Sequence, residues 1–369
     1  MRYFVTSVLL ILIIIFTNSC VTDTRHAITS CGDGPYLFMK GDSAMVITQK
    51  RDGIFDSLYF SNSELQNLTF RYEFDGIPYP ALSFNIDSQS VNIHKKGIFP
   101  MPDKVLAVSD IEGNYEKYYD LLLANNVIDS LYKWTFGKGH LVIIGDLVDR
   151  GNYVTQCLWL TYYLEKEAKR NGGEVHYLLG NHEQLLLSGY DNYCAQKYKD
   201  IFKSLHTNVS HMYSKQTKLG EWIRSKSSII KIGDYIFVHA GISPSVLKYN
   251  LTMEKINFEV SRAIDTNDFK TDESLELLTQ EGILWYRGLI EDDDNKQYKK
   301  ATEAQVNDIL MYFEGKSIVI GHTPIDSISK DYGGKVIRID VDHYENSSAL
   351  YIENGIQYIV DNKGQKRNF

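Results

Sequence analysis

Short, unbroken apolar runs recur along the chain: Lys104-Val105-Leu106-Ala107-Val108, Leu141-Val142-Ile143-Ile144, Val175-His176-Tyr177-Leu178-Leu179, Tyr235-Ile236-Phe237-Val238 and Ser317-Ile318-Val319-Ile320. Runs of this length without polar alternation predict β-strands buried on both faces. Between them the period lengthens: Tyr115 to Ala124 and Tyr153 to Arg170 have helical spacing, the second ended by Asn171-Gly172-Gly173. Strands separated by helices predict a layered α/β domain. Earlier, from Gly34 to about Pro102, the pattern is different. Alternating runs such as Ala44-Met45-Val46-Ile47-Thr48 and Leu68-Thr69-Phe70-Arg71-Tyr72 are punctuated by Asp52-Gly53 and Asp75-Gly76, which predicts a small β-rich region over 34–102. The α/β part is expected over 103–362, with helical inserts at about 184–230 and 245–312 shaping access to the strand ends. Val336 to Val360 reads as closing strands with an Asn354-Gly355 hairpin turn.

The N-terminus carries a different signal. Arg2 precedes the apolar run from Val8 to Phe16, and Thr17-Asn18-Ser19-Cys20 follows. A basic residue, a short apolar stretch and small residues before a cysteine predict a secretory signal over 1–19. The ending resembles a bacterial lipobox, which implies a lipidated Cys20, a polar tether over 20–33, and a membrane-anchored extracytoplasmic protein (periplasm or outer membrane). A plain signal peptide or an uncleaved anchor is the alternative. The remaining cysteines, Cys31, Cys157 and Cys194, show no paired spacing. They predict neither a disulfide framework nor a zinc site, and Cys157 and Cys194 are read as small buried residues in helices.

Length and composition add bounds. A chain of 369 residues with 43% apolar and 23% charged content is an ordinary globular one. Its formal net charge of −8 disfavours nucleic acid as a partner.

The chemistry lies just past the strands. Five motifs follow in order: Ser109-Asp110-Ile111-Glu112-Gly113-Asn114, Gly145-Asp146-Leu147-Val148-Asp149-Arg150-Gly151, Gly180-Asn181-His182-Glu183, Val238-His239-Ala240-Gly241 and Gly321-His322-Thr323. In an α/β fold the carboxyl ends of strands converge on one crevice. Asp110, Asp146, Asn181, His239 and His322 can therefore meet despite their separation. Carboxylates, an amide and imidazoles gathered in this way suit a two-metal hydrolytic centre. Their mixed oxygen and nitrogen donors favour Mn, Fe or Zn over calcium.

These motifs resemble those of the calcineurin-like metallophosphoesterase superfamily (D-x-H, G-D-x-x-D-R, G-N-H-E, H-x-G, G-H) over about residues 104–345. GDLVDRG, LLGNHE and VHAGISP resemble its phosphoprotein phosphatase branch. Glu221-Trp222-Ile223-Arg224 with Leu284-Trp285-Tyr286-Arg287-Gly288 resembles the bacterial Shewanella-like phosphatases. The resemblance implies a metallophosphoesterase-type β-sandwich flanked by helices. It also implies two divalent ions (Mn first, with Fe, Zn or Mg as alternatives) and hydrolysis of phosphomonoesters by a metal-activated hydroxide. Asp110 and Asp146 would hold the first metal, with Asp146 bridging to a second held by Asn181, His239 and His322. Arg150 would bind phosphate, with Arg287 as a second contact. His182 would protonate the leaving oxygen, oriented by Asp149.

One position departs from the pattern: Glu112 stands where the family has histidine. As a ligand, Glu112 would shift the first site towards Mn or Mg. As a lesion, it would leave a non-catalytic lipoprotein on a phosphatase scaffold. The expected substrate is a phosphorylated protein at Ser, Thr or Tyr. A nucleotide or dinucleoside polyphosphate is the alternative, since few phosphoproteins are expected outside the cytoplasm; Pro324 after Gly321-His322-Thr323 departs from the G-H-x-H ending of the phosphodiesterase branches.

Overall fold

The computed structural model describes residues 27–75, 77–87, 97–266, 276–291, 299–343 and 347–369. Its centre is a sandwich of two six-stranded sheets. The first runs in the order Glu174–Tyr177, His140–Ile143, Lys104–Val108, Ser348–Glu353, Ile356–Asp361, Lys366–Asn368. The second runs Ser329–Asp331, Val336–Arg338, Ser317–Ile320, Tyr235–Val238, Ile229–Ile232, Ile98–Phe99.

The apolar runs are unbroken because each strand feeds two cores. Val105 and Ala107 point into the space between the sheets with Val142, Phe237, Val319 and Ile337. Leu106 and Val108 point the other way, into a second core with Leu141, Ile143, Leu158 and Leu121 from the flanking helices. The two helices are Tyr115–Ala124 and Val154–Arg170.

Strand direction fixes where chemistry can occur. Lys104–Val108, His140–Ile143 and Glu174–Tyr177 are mutually parallel, as are Tyr235–Val238, Ser317–Ile320 and Val336–Arg338. Every motif loop leaves the carboxyl end of one of these strands.

The N-terminal strands form two three-stranded sheets, Ala27–Ser30 with Thr69–Tyr72 and Leu82–Phe84, and Tyr36–Lys40 with Ser43–Gln49 and Phe55–Ser61. Both contribute to the core shared with the flanking helices. Phe84 stacks on Trp159 at 4.8 Å, and Trp159 Nε1 donates to the Pro35 carbonyl at 3.1 Å. Asp33, fully buried, accepts from Lys197 Nζ at 2.6 Å and from the Tyr36 hydroxyl at 2.6 Å. Residues 27–30, read from sequence as tether, thus form a strand, and Ile98–Phe99 belongs to the second large sheet.

The apolar run from Val8 to Phe16 and Cys20 lie outside the described residues, within which no helix is long and apolar enough to cross a membrane. Cys157 is in a helix as expected. Cys194 is not: it sits in the turn before the helix Gln196–Ser204.

Away from the motif loops, at the start of its strand, His140 is buried with Nδ1 3.1 Å from His176 Nε2. Burial pushes its pKa down to about 4. The unfolded chain binds that proton near 6.5 and the folded one does not, so this contribution to stability is complete above pH 6.5 and lost as pH falls towards 4. Urea unfolding between pH 7.5 and 4.5 is expected to show a shallower acid loss in His140→Gln, by at most about 1.4 kcal/mol per pH unit. Parallel profiles would contradict it.

Candidate metal and phosphate site

The motif loops turn sharply. Asp110, Glu112, Asp146, Asp149, Arg150 and His322 all have φ between +51° and +70°. Non-glycine residues rarely adopt this conformation, at a cost on the order of 1 kcal/mol each, and such residues cluster where a fold aims side chains at a site. Close backbone approach completes the arrangement. A Cβ on Gly180 would lie 2.7 Å from the Asp146 amide nitrogen, and one on Gly145 2.7 Å from Gly180 Cα.

The result is a cavity of about 430 Å³ lined by Asp110, Glu112, Asp146, Arg150, Asn181, His182, Arg287 and His322 among others. Asp146 is its buried centre. The His182 amide donates to Asp146 Oδ1 at 3.0 Å, and Asp146 Oδ2 lies 3.2 Å from His239 Nε2. His239 Nδ1 donates to the Ile144 carbonyl at 2.7 Å, so its Nε2 faces Asp146, Asn181 Oδ1 at 2.8 Å and His322 Nδ1 at 3.2 Å. A ring fixed through one nitrogen with the other aimed at acidic and amide oxygens is the usual setting of a histidine ligand.

Donor atoms of Asp146, His239 and His322 lie within 4.8 Å of one another, as do those of Glu112, Asp146 and His182. Asp146 belongs to both groups. His322 Nε2 is buried without a hydrogen-bond partner.

Electrostatics favour a cation here. Burial alone would raise the Asp146 carboxyl, but the His239 and His182 imidazoles outweigh it and hold it well below the usual carboxylate range. Burial likewise opposes a proton on His239, yet Asp146 overcomes it and lifts that pKa to about 10. Burial raises Asp110 to about 6 and Asp340 to about 9, with carboxylate repulsion from Asp146 and Asp110 respectively adding to the effect. Burial and His239 push His322 well down. Protons stand where divalent charge would serve better, and metal binding releases them. The donor set fits two divalent ions.

His182 Nδ1 lies 2.8 Å from Asp149 Oδ2, and its Nε2 faces Asp146 Oδ2 at 3.9 Å. Burial works against its protonation, but Asp146 and Asp149 raise its pKa. Arg287 donates to Thr323 Oγ1 at 3.1 Å on the cavity wall. Arg150, its guanidinium exposed, lies over the Tyr193 ring at 5.8 Å and pairs with Glu112. The structure therefore brings together every sequence-selected site residue, but the direct partner of Glu112 is an arginine.

Several contributors were not selected from sequence. Glu183 accepts from the amides of Asp146, Leu147 and Gly180. Its position three residues into the helix after Gly180 is a capping-box signal. Asp340 follows the strand Val336–Arg338 at the same edge and lines the cavity. His343 donates from Nε2 to the Ser109 carbonyl at 2.8 Å beneath the first motif. Cys194 Sγ donates to Asp149 Oδ1 at 3.2 Å.

Comparison with known proteins gives the same direction. The family described as calcineurin-like phosphoesterase matches residues 103–360. The chain is 29% identical over 226 residues to Shewanella-like protein phosphatase 1 of Plasmodium berghei, covering 60% of this chain and 61% of that one. It is 24% identical to Shewanella-like protein phosphatase 2 of Arabidopsis thaliana, covering 76% and 84%. Among solved structures it resembles the cold-active protein-tyrosine phosphatase of a psychrophilic Shewanella species, with a TM-score of 0.80, 28% identity, and 91% and 98% of the two chains covered.

Proposed function

Because the chain belongs to the calcineurin-like phosphoesterase family, and so is a metal-dependent hydrolase of phosphate esters, we propose that it is a phosphoprotein phosphatase acting on phosphomonoesters of Ser, Thr or Tyr. The observation that carries this reading is the place of Asp146, whose donor atoms lie with those of His239 and His322 on one side and with that of Glu112 on the other, the His182 imidazole standing beside them as the acid.

Asp110, Glu112, Asp146, Asn181, His239 and His322 would hold two divalent ions, Mn being the expected metal. When bound, they lower the pKa of water and neutralise charge on the phosphoryl oxygens. The chain's own groups do the rest. Arg150 and Arg287, both on the cavity wall, bind the phosphate oxygens through their planar forks. His182, oriented at Nδ1 and kept protonated by Asp149, delivers its Nε2 proton to the leaving oxygen. The substrate class takes support from the names of the similar proteins, two protein phosphatases and a tyrosine phosphatase.

The test is turnover by the fragment starting at residue 21, assayed with Mn and a generic aryl phosphate. A tyrosine-phosphorylated peptide, a serine-phosphorylated peptide and a dinucleoside tetraphosphate are then compared. Faster hydrolysis of either peptide is expected. Preference for the dinucleotide would replace this reading with a small-molecule phosphoesterase, and no turnover with any divalent metal would end it. The site of action we propose is extracytoplasmic and membrane-tethered, motivated by the sequence around Cys20. In cells making the full chain, Cys20→Ser should move activity from the membrane to the soluble fraction. An unchanged distribution would contradict a tether through Cys20 and leave the apolar run from Val8 to Phe16 as the anchor.

A further inference from the structure

Glu112 and Arg150 occupy two loops whose backbones are fastened together. The Glu112 amide donates to the Asp146 carbonyl at 2.9 Å, the Gly151 amide to the Glu112 carbonyl at 2.8 Å, and the Arg150 amide to the Tyr193 carbonyl at 2.9 Å. The main chain at both residues is left-handed. Neither loop can retreat cheaply, so a change of partner must come from the side chains. Two partners are within reach of the Glu112 carboxylate. One is the Arg150 guanidinium, which it touches. The other is a cation shared with Asp146, since its donor atom lies within 4.8 Å of those of Asp146 and His182.

The two arrangements compete for the charge of one carboxylate. The carboxylate meets the guanidinium at Nη1, so it competes with phosphate for one arm of the fork that two phosphate oxygens would use. A carboxylate on a divalent ion shares its charge with that ion and holds an arginine more weakly. Exposure favours an exchange, because the Arg150 side chain is 45% exposed and that of Glu112 only 14%. The arginine can therefore swing into the cavity mouth while the carboxylate stays within. A histidine at position 112, neutral when it binds a metal, would have no charge with which to occupy Arg150.

We infer that Glu112 is a metal-released cap on Arg150: without the first cation it holds the guanidinium, and with the cation bound it turns inward and frees Arg150 for phosphate. Phosphate affinity through Arg150 is then coupled to metal occupancy, and by linkage phosphate tightens the metal in return. The substitution at 112 becomes a device that keeps a metal-free site from retaining phosphate. The inference rests on the phosphatase reading for the role of Arg150.

The test is the cost of Arg150→Ala for binding inorganic phosphate, measured by calorimetry on metal-stripped and Mn-loaded protein, in the wild type and in Glu112→Gln. In stripped wild type the cost is expected to be under about twofold, since Arg150 is already engaged. In stripped Glu112→Gln and in Mn-loaded wild type it should reach roughly tenfold or more, the scale of a charge-assisted hydrogen bond. Equal costs in stripped wild type and stripped Glu112→Gln would overturn the cap. A negligible cost in the Mn-loaded wild type would overturn its release.

Mn affinity, read by electron paramagnetic resonance, gives a second decision that does not depend on the stripped protein. Glu112→Gln should weaken one of two Mn sites about tenfold, and two unchanged sites would refute the inward turn. Failure of the phosphatase reading looks different, as absent turnover beside an intact pattern of phosphate costs. Normal turnover with flat costs would sink the cap alone.

Discussion

Asp146→Asn is expected to lower kcat/KM on an aryl phosphate by at least about 10³-fold, equivalent to about 4 kcal/mol of transition-state stabilisation. Asparagine has the same shape, so the Oδ1 that accepts from the His182 amide at 3.0 Å can be retained. What disappears is the charge, together with the second carboxylate oxygen that faces His239 Nε2 at 3.2 Å. Both donor groups lose their shared member, Glu112 with His182 on one side and His239 with His322 on the other. Bound Mn should therefore fall from two equivalents to one or fewer, as counted by elemental analysis after gel filtration. Burial of Asp146 is nearly complete, so removing its charge relieves a desolvation cost, and the His239 and His182 imidazoles it held protonated can lose their protons instead of standing as unpaired buried charges. Far-UV circular dichroism should accordingly remain that of the folded wild type, which separates loss of chemistry from loss of fold. Activity within tenfold of wild type would mean that Asp146 does not bridge the two groups.

The framework was legible because burial on both faces leaves a plain mark. Val105 and Leu106 enter different cores, so no polar residue interrupts their strand. The motif residues were legible because strand ends in a parallel sheet must share one edge. The α/β sandwich with flanking helices is accordingly the fold observed, and the chain belongs to the expected family.

What the sequence hid depends on loop geometry or on distant packing. Nothing local says that Glu112 meets Arg150, because their contact is made by two left-handed loops brought together across separate strands. Residues 27–30 are polar enough to pass for a tether, yet Ala27–Ser30 pairs with Thr69–Tyr72, a partner some forty residues away. Cys194 reads as helical from its neighbours. Its place in a turn follows from the chain reversing after Tyr190, which brings the thiol to Asp149. Asp340 gives only a weak signal, one acidic residue after a strand. Its meaning depends on Asp110 being its neighbour in space.

Glu183→Ala is expected to destabilise the protein by at least about 3 kcal/mol, and to remove activity with it. The side chain is fully buried and accepts from the Asp146 amide at 2.8 Å, the Leu147 amide at 2.9 Å, the Gly180 amide at 2.7 Å and the Tyr177 hydroxyl at 2.8 Å. Alanine leaves these donors buried without partners, each costing about 1–3 kcal/mol less whatever a trapped water restores. Burial, with Asp146 adding to it, raises the Glu183 carboxyl to about 6. Four donors on one carboxylate mark it as a tie for the backbone that carries Asp146 rather than as a proton donor.

Glu183→Gln keeps the volume but turns an amide NH₂ towards backbone N–H groups. It should fall between wild type and alanine in urea unfolding. If Glu183 acts only by positioning, activity in the Gln variant should fall at low temperature, where the fold persists, and KM should change less than kcat. An alanine variant within about 1 kcal/mol of wild type would mean that the Asp146 loop holds its left-handed turn without this support.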